Sequence, residues 1–197
     1  MQALQERNLT MAKIDVKEKY IKIAVPQMMQ TFGYKNKMAV PRILKVVLNS
    51  GFGKLIAGKG GDEEKKIVEE AKEALTLVAG QKAALTIAKK SISGFKVRQG
   101  SPQGAKVTLR GSRMYDFLER LLCIVLPRTR DFRGLDPSLI DTRGSFTVGM
   151  KEHTFFPEVP VEKVKTSLGL ELTVATSAKT KKEGLELLKL VGFPFKV

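Results

Sequence analysis

Gly53-Lys54-Leu55-Ile56-Ala57-Gly58-Lys59 is the segment that comes nearest to a catalytic signature. Glycines that let backbone N–H groups close in on a phosphate, followed by a lysine to meet its charge, are what a phosphate-cradling loop needs. The next residue, however, is Gly60, where such a loop carries Ser or Thr to hold Mg²⁺. Asp62 then opens a helical pattern, so a carboxylate stands where a phosphate would sit. The residues favour a flexible Gly-rich connection. A nucleotide hydrolase stays open as an alternative.

Cys123 and His153 are the only residues of their kinds. One thiol makes neither an internal disulfide nor a cysteine zinc site, and one imidazole makes no multi-histidine metal site. Cys123 lies in the apolar run Met114 to Val125, so core packing is its expected role. His153 precedes Thr154-Phe155-Phe156-Pro157 and reads as a surface or strand-end residue. The acids of Asp62 to Glu73 form an ordinary helical surface. No catalytic residue, metal ligand or cofactor is expected.

Binding chemistry is better represented. Lys and Arg number 35 against 20 Asp and Glu, a formal charge of +15. Such an excess calls for a polyanionic partner, although a basic enzyme or a membrane-surface protein also shows one. From Ala74 to Tyr115 there is no acid, while Lys82, Lys89, Lys90, Lys96, Arg98, Lys106, Arg110 and Arg113 all fall there. Gln81, Ser91, Gln99 and Thr108 lie among them and can bond phosphate, 2′-OH and base edges. Phe95 is the one aromatic in the expected loop, so a folded RNA read by shape fits better than a stacked single strand. Arg128, Arg130, Arg133 and Arg143, with Asp131 among them, make a second basic group, or else an ordinary surface loop.

These side chains need a scaffold. Helical spacing predicts a helix over 11–30, with Ile14, Ile21, Ala24, Val25 and Met28 apolar and Pro26 kinking or shortening it. Arg42 to Leu48 reads as a strand ending in the turn signal Asn49-Ser50-Gly51. Asp62 to Ala79 is a helix capped by Asp62 and stopped by Gly80. Strands at 83–88 and 105–109 are joined by a long hairpin connection over 89–104. Ser112 caps the next helix and Pro127 ends it. Strands follow at 145–150 and 170–176. Thr180-Lys181-Lys182-Glu183 is a capping box opening a last helix that Gly192 stops. The expectation is an α+β fold, a mostly antiparallel sheet with helices on one face and the other face free for a partner. Residues 1–18 are an extension and the start of the first helix; 19–197 form a single domain. No apolar run is long enough to span a bilayer, the start is not a secretory signal, and a reducing cytoplasm is expected.

Several runs occur in a familiar order: Val40-Pro41-Arg42, Gly80-Gln81-Lys82, Ala88-Lys89-Lys90-Ser91-Ile92, Gly94-Phe95-Lys96-Val97-Arg98-Gln99-Gly100 and Lys106-Val107-Thr108-Leu109-Arg110-Gly111. Leu126-Pro127-Arg128, Arg130-Asp131-Phe132-Arg133-Gly134-Leu135 and Phe193-Pro194-Phe195 continue the series. In these the chain resembles the bacterial large-subunit ribosomal protein L5 family from about Lys19 to Phe195. The resemblance implies a non-enzymatic translation protein that binds 5S ribosomal RNA in the central protuberance, beside large-subunit ribosomal RNA and neighbouring large-subunit proteins. It implies 5S contacts at Asn49, Gln81, Lys82, Lys106, Thr108 and Arg110, with Lys13 and Lys17 as lesser additions. It implies a loop reaching peptidyl-site transfer RNA through Lys89, Lys90, Ser91, Phe95, Lys96 and Arg98. It also implies a bridge to a small-subunit head protein through Arg128, Arg130, Arg133 and Arg143. A free RNA chaperone is the remaining alternative. The chain departs from the family's usual pattern at Ser50, at Ala83, in the longer Gly58 to Gly61 stretch and over Ile140 to Phe146.

Overall fold

The computed structural model describes residues 15–129, 132–160 and 167–196. Five strands, β1 (Ile43–Gly51), β2 (Ala84–Ile87), β3 (Pro102–Leu109), β4 (Phe146–Met150) and β5 (Leu170–Thr176), form one sheet in the order β2-β3-β1-β5-β4. The pairing is antiparallel, as expected of an α+β fold.

The residues group into two compact units. One holds Val46–Leu109 and Thr147–Thr173. From Val46 in β1 and from Ala105 in β3 burial alternates: Val46, Leu48, Ala105, Val107 and Leu109 are buried, while Lys106 between them is exposed. The buried row faces helix α3 (Gly61–Ala79), whose Val68, Ala71, Leu75 and Val78 repeat at helical spacing. Gly80 stops α3 in the left-handed conformation, φ 63°. The cap at its start is Gly60, without a side-chain bond, so Asp62 lies inside the first turn instead of capping it. The expected turn at Asn49-Ser50-Gly51 is strand: Ser50 is buried and its hydroxyl donates to the Gly169 carbonyl at 2.9 Å, which satisfies a polar side chain inside the sheet.

The other unit holds the described residues up to Lys45, Arg110–Phe146 and those from Val174 onward. Helix α1 runs through Val16–Lys19, a π turn Tyr20–Ala24 and Val25–Phe32. Helix α4 does the same through Ser112–Arg120, a π turn Leu121–Val125 and Leu126–Arg128. Each π turn stands just before a proline, Pro26 or Pro127. A proline lacks the N–H and crowds the carbonyl four residues back, and a widened turn accommodates both defects without ending the helix. Past Pro26 α1 continues to Phe32, whereas α4 ends at Arg128, one residue after Pro127, where Thr129 is extended, as the sequence suggested. The widened turn also moves the buried face of α1: Val16, Ala24 and Met28 are buried, but Ile21 is 57% exposed. On α4, Gly111 at φ 61° is the cap in place of Ser112, and Cys123 is exposed, not core.

Helix α5 (Lys181–Val191) carries the expected capping box: Thr180 Oγ1 accepts from Glu183 N–H, and the Glu183 carboxylate accepts from Thr180 N–H. Burial works to raise the Glu183 pKa, but the N–H groups of Lys179 and Thr180 and the Tyr34 hydroxyl bind the carboxylate and hold it below its usual range. Tyr34 responds in the opposite sense, pushed up to about 12 by burial and by that same carboxylate. Phe146 meets the rings of Phe193 and Phe195 edge-on at 5.7 and 5.8 Å. This arrangement fixes the chain's end, which Leu135 holds further by donating to Pro194 O and accepting from Lys196 N–H.

Candidate nucleic-acid interface

The strand alternation that buries Val46 and Val107 leaves the opposite face of the sheet open. On it the register sets Asn49 opposite Lys106 and Val47 opposite Thr108, with Ala84 of β2 opposite Lys106 on the other side. Three of the residues expected to meet 5S RNA thus share one face: Asn49, Lys106 and Thr108. Gln81 stands at the start of this region and donates its side-chain amide to the Thr108 carbonyl at 3.3 Å, so its position is tied to β3. Lys82 is exposed. Arg110 directly follows β3 and is exposed. The ion pairs Lys22–Glu18 and Lys65–Asp62 run along helices, and Lys59–Glu63 ties the connection before α3 to its first turn. Among the described residues, Lys82, Lys106 and Arg110 have no such partner.

Glu171 was missed from the sequence. It lies far along the chain, yet β5 adjoins β1 and its carboxylate accepts from Asn49 Nδ2 at 3.1 Å. The signal was the alternation within Leu170 to Thr176, whose polar members Glu171 and Thr173 share the open face. Thr147 and Thr173 extend that face, their hydroxyls 3.1 Å apart.

The hairpin connection between β2 and β3 carries the second predicted group. Lys89, Lys90, Ser91, Phe95, Lys96 and Arg98 are all exposed, Phe95 at 72%. The loop is not shapeless: Ile92 bridges Val97, Ser93–Phe95 forms a 3-10 turn, and the Ser91 hydroxyl accepts from Gln99 N–H at 2.8 Å. Lys96 adopts φ 52°, the one non-glycine positive φ among the described residues. A bulky apolar ring and four cations on a braced, solvent-facing loop suit contact with a charged macromolecule.

The arginine group is less focused. Arg128 ends α4, Arg133 lies on the following loop, and Arg143 sits on a turn in which Asp141 accepts from the N–H groups of Arg143 and Ser145. They occupy separate elements, each exposed. Arg130 lies outside the described residues, as does Lys13.

The phosphate-cradle reading of Gly53 to Lys59 does not hold in three dimensions. Gly53–Ile56 is a short helix, here α2, and Lys59 Nζ is bound to Glu63 at 2.7 Å. His153 is 3% exposed, not a surface residue. Its Nδ1 accepts from Leu168 N–H at 3.2 Å, which places the ring proton on Nε2. Burial holds its pKa below the ordinary value. Among the described residues no cluster of His, Cys, Asp and Glu could hold a metal, and no helix is long and apolar enough to cross a membrane.

The model of ribosomal protein L5 matches residues 36–98, and that of the ribosomal L5 family C-terminus matches 102–195. The chain belongs to the ribosomal protein L5 family. It is 48% identical to large ribosomal subunit protein uL5 of Carboxydothermus hydrogenoformans over 180 residues, 91% of this chain and 97% of that protein. It is likewise 48% identical to the uL5 of Thermus aquaticus over 183 residues, 93% and 97% of the two chains. The uL5 of Colwellia psychrerythraea is 48% identical over 177 residues, 90% and 94%. L5 proteins are structural and non-enzymatic. Both hairpin strands and the basic loop up to Arg98 fall within the matched stretches.

Proposed function

We propose that the chain is a structural component of the large subunit of the cytoplasmic ribosome, one that seats 5S ribosomal RNA against the open face of its sheet. Asn49, Lys82, Lys106, Thr108 and Arg110 meet the RNA, and Gln81 holds the neighbouring backbone in place. The observation that carries this reading is the β1–β3 register, which sets Lys106 and Thr108 beside Asn49 on the face that α3 leaves open. A cation on a pleated surface meets phosphates at fixed spacing and releases their counterions, giving strong and salt-sensitive affinity. Membership of the L5 family supports the ribosomal setting.

On the same reading the loop bearing Lys89, Lys90, Ser91, Phe95, Lys96 and Arg98 reaches peptidyl-site transfer RNA, and Arg128, Arg130, Arg133 and Arg143 meet a small-subunit head protein. Large-subunit ribosomal RNA and adjacent proteins of that subunit complete the surroundings.

The test is capture of 5S RNA by the purified chain from total RNA at moderate salt. Lys106→Ala and Arg110→Ala should each weaken binding by roughly 5–10-fold and lower the salt slope by about 1, with an unchanged melting curve. No measurable affinity for 5S RNA under those conditions would sink the reading. Sedimentation with large subunits separates a resident protein from a free RNA chaperone.

A further inference from the structure

The Gly-rich stretch after α2 has no role in the reading above, and the structure gives it a neighbour. Residues 57–61 form one wall of a cleft of about 850 Å³ whose other wall is the hairpin connection. Ser91, Ser93, Lys96 and Arg98 line that second wall. The volume lies within the range of pockets that enclose real ligands. Lys59, Lys96 and Arg98 outnumber the one carboxylate of the lining, Glu64, and Lys59 is already engaged by Glu63.

The glycine wall is open to close approach. At Gly58, Gly60 and Gly61 an added Cβ would meet nothing within 4 Å. Gly60 caps α3 without a side chain, so no side-chain oxygen occupies the N–H groups of the first turn. The opposite wall supplies hydroxyls and positive charge, with the Lys96 backbone in a left-handed conformation that a lysine rarely adopts. No aromatic ring lines the cleft and no Ser or Thr follows Lys59, so neither base stacking nor a nucleotide's Mg²⁺ finds a partner.

We propose that this cleft is a clamp for the phosphodiester backbone of an RNA strand, with glycine amides on one side and Lys96 and Arg98 on the other. It rests on the reading that the chain binds RNA, and adds a second wall to the loop. The clamp explains why the connection is long and rich in glycine: bulk or negative charge there narrows or repels the strand.

The full chain, ¹⁵N-labelled, is titrated with a short oligouridylate, with inorganic phosphate and with ATP, following the amide resonances of Gly58, Gly60 and Gly61. The oligouridylate should move all three. Gly61→Asp, whose φ is not left-handed and whose side chain has open space, should weaken oligouridylate binding roughly fivefold, and Arg98→Gln should lower the salt slope by about 1; Gly61→Ala should do neither. If only the Lys96 and Arg98 amides move, the loop binds alone and the clamp is refuted. If phosphate or ATP moves the glycine amides as strongly as the oligouridylate, the cleft takes a free anion and the proposal falls. Capture of 5S RNA by Gly61→Asp is expected to persist through Lys106, so loss of the clamp and loss of the sheet interface are read separately.

Discussion

Asn49 shows how one side chain can be legible in type and illegible in state. Its place on the open face follows from alternation, but its amide is turned toward Glu171. On the proposed reading this carboxylate repels phosphate and also steadies the amide beside it. Removing the charge while keeping the shape, as in Glu171→Gln, should raise affinity for 5S RNA about two- to threefold and steepen nothing in the melting curve, since an exposed pair is worth little. Weaker binding in that variant would mean that the carboxylate's grip on Asn49 matters more than its repulsion. His153 was the residue least readable from sequence. Its neighbours in the chain are polar and aromatic in turn, and its burial depends on α3 and on Leu168, both remote. Because burial sets its folded pKa below the ordinary 6.5, the unfolded chain takes up the proton first. Stability is therefore complete above about pH 7, falls as pH drops below the unfolded value, and levels off once the folded ring is also protonated. Urea midpoints at pH 8 and pH 5.5 should differ in the parent chain and converge in His153→Asn, whose amide oxygen can replace Nδ1. A parent midpoint that does not move over this range would contradict the buried neutral ring.

At the scale of elements, signals carried by a few adjacent residues were read correctly where the partner is local. The capping box at Thr180 needs only Glu183, and Gly80 and Gly192 need only their own backbones. Thr180→Ala should cost about 1 kcal/mol and lower the melting temperature by about 2–4 °C, measured by calorimetry; a shift within error would mean that packing alone sets the start of α5. Signals failed where a distant partner decides. Asn49-Ser50-Gly51 has turn composition, but Gly169 supplies a carbonyl for Ser50, and the strand continues. Ser112 has capping chemistry, but Gly111 reaches a conformation serine avoids and takes the position. Pro26 reads as a kink or a shortening, yet α1 runs on to Phe32 through a widened turn, because an added residue in the preceding turn leaves no mark on composition. The cleft wall at residues 57–61 is legible as a motif, yet its partner is the hairpin connection well further along the chain, and only folding brings the two together.

Across the whole molecule, charge and topology act together. The acid-free segment from Ala74 to Tyr115 becomes one hairpin with its flanks, so a net +15 is partly concentrated instead of spread evenly. If about six phosphates are neutralised, 5S affinity should fall by about 10³ between 50 and 200 mM salt, a slope measurable by filter binding; near-independence of salt would show that the lysines and arginines stay solvated in the complex. The strand order has a further consequence for the protein while it waits for RNA. β2 and β4 are the outermost strands, and unpaired strand borders invite self-association into larger β assemblies. β2 offers four residues and loses register between Thr86 and Ile87, and β4 offers five, including Gly149. Such short, interrupted borders, on a chain whose like charges repel, should keep newly made copies monomeric by light scattering at low salt, whereas straightening β2 into a longer regular strand would turn a storable protein into one that precipitates.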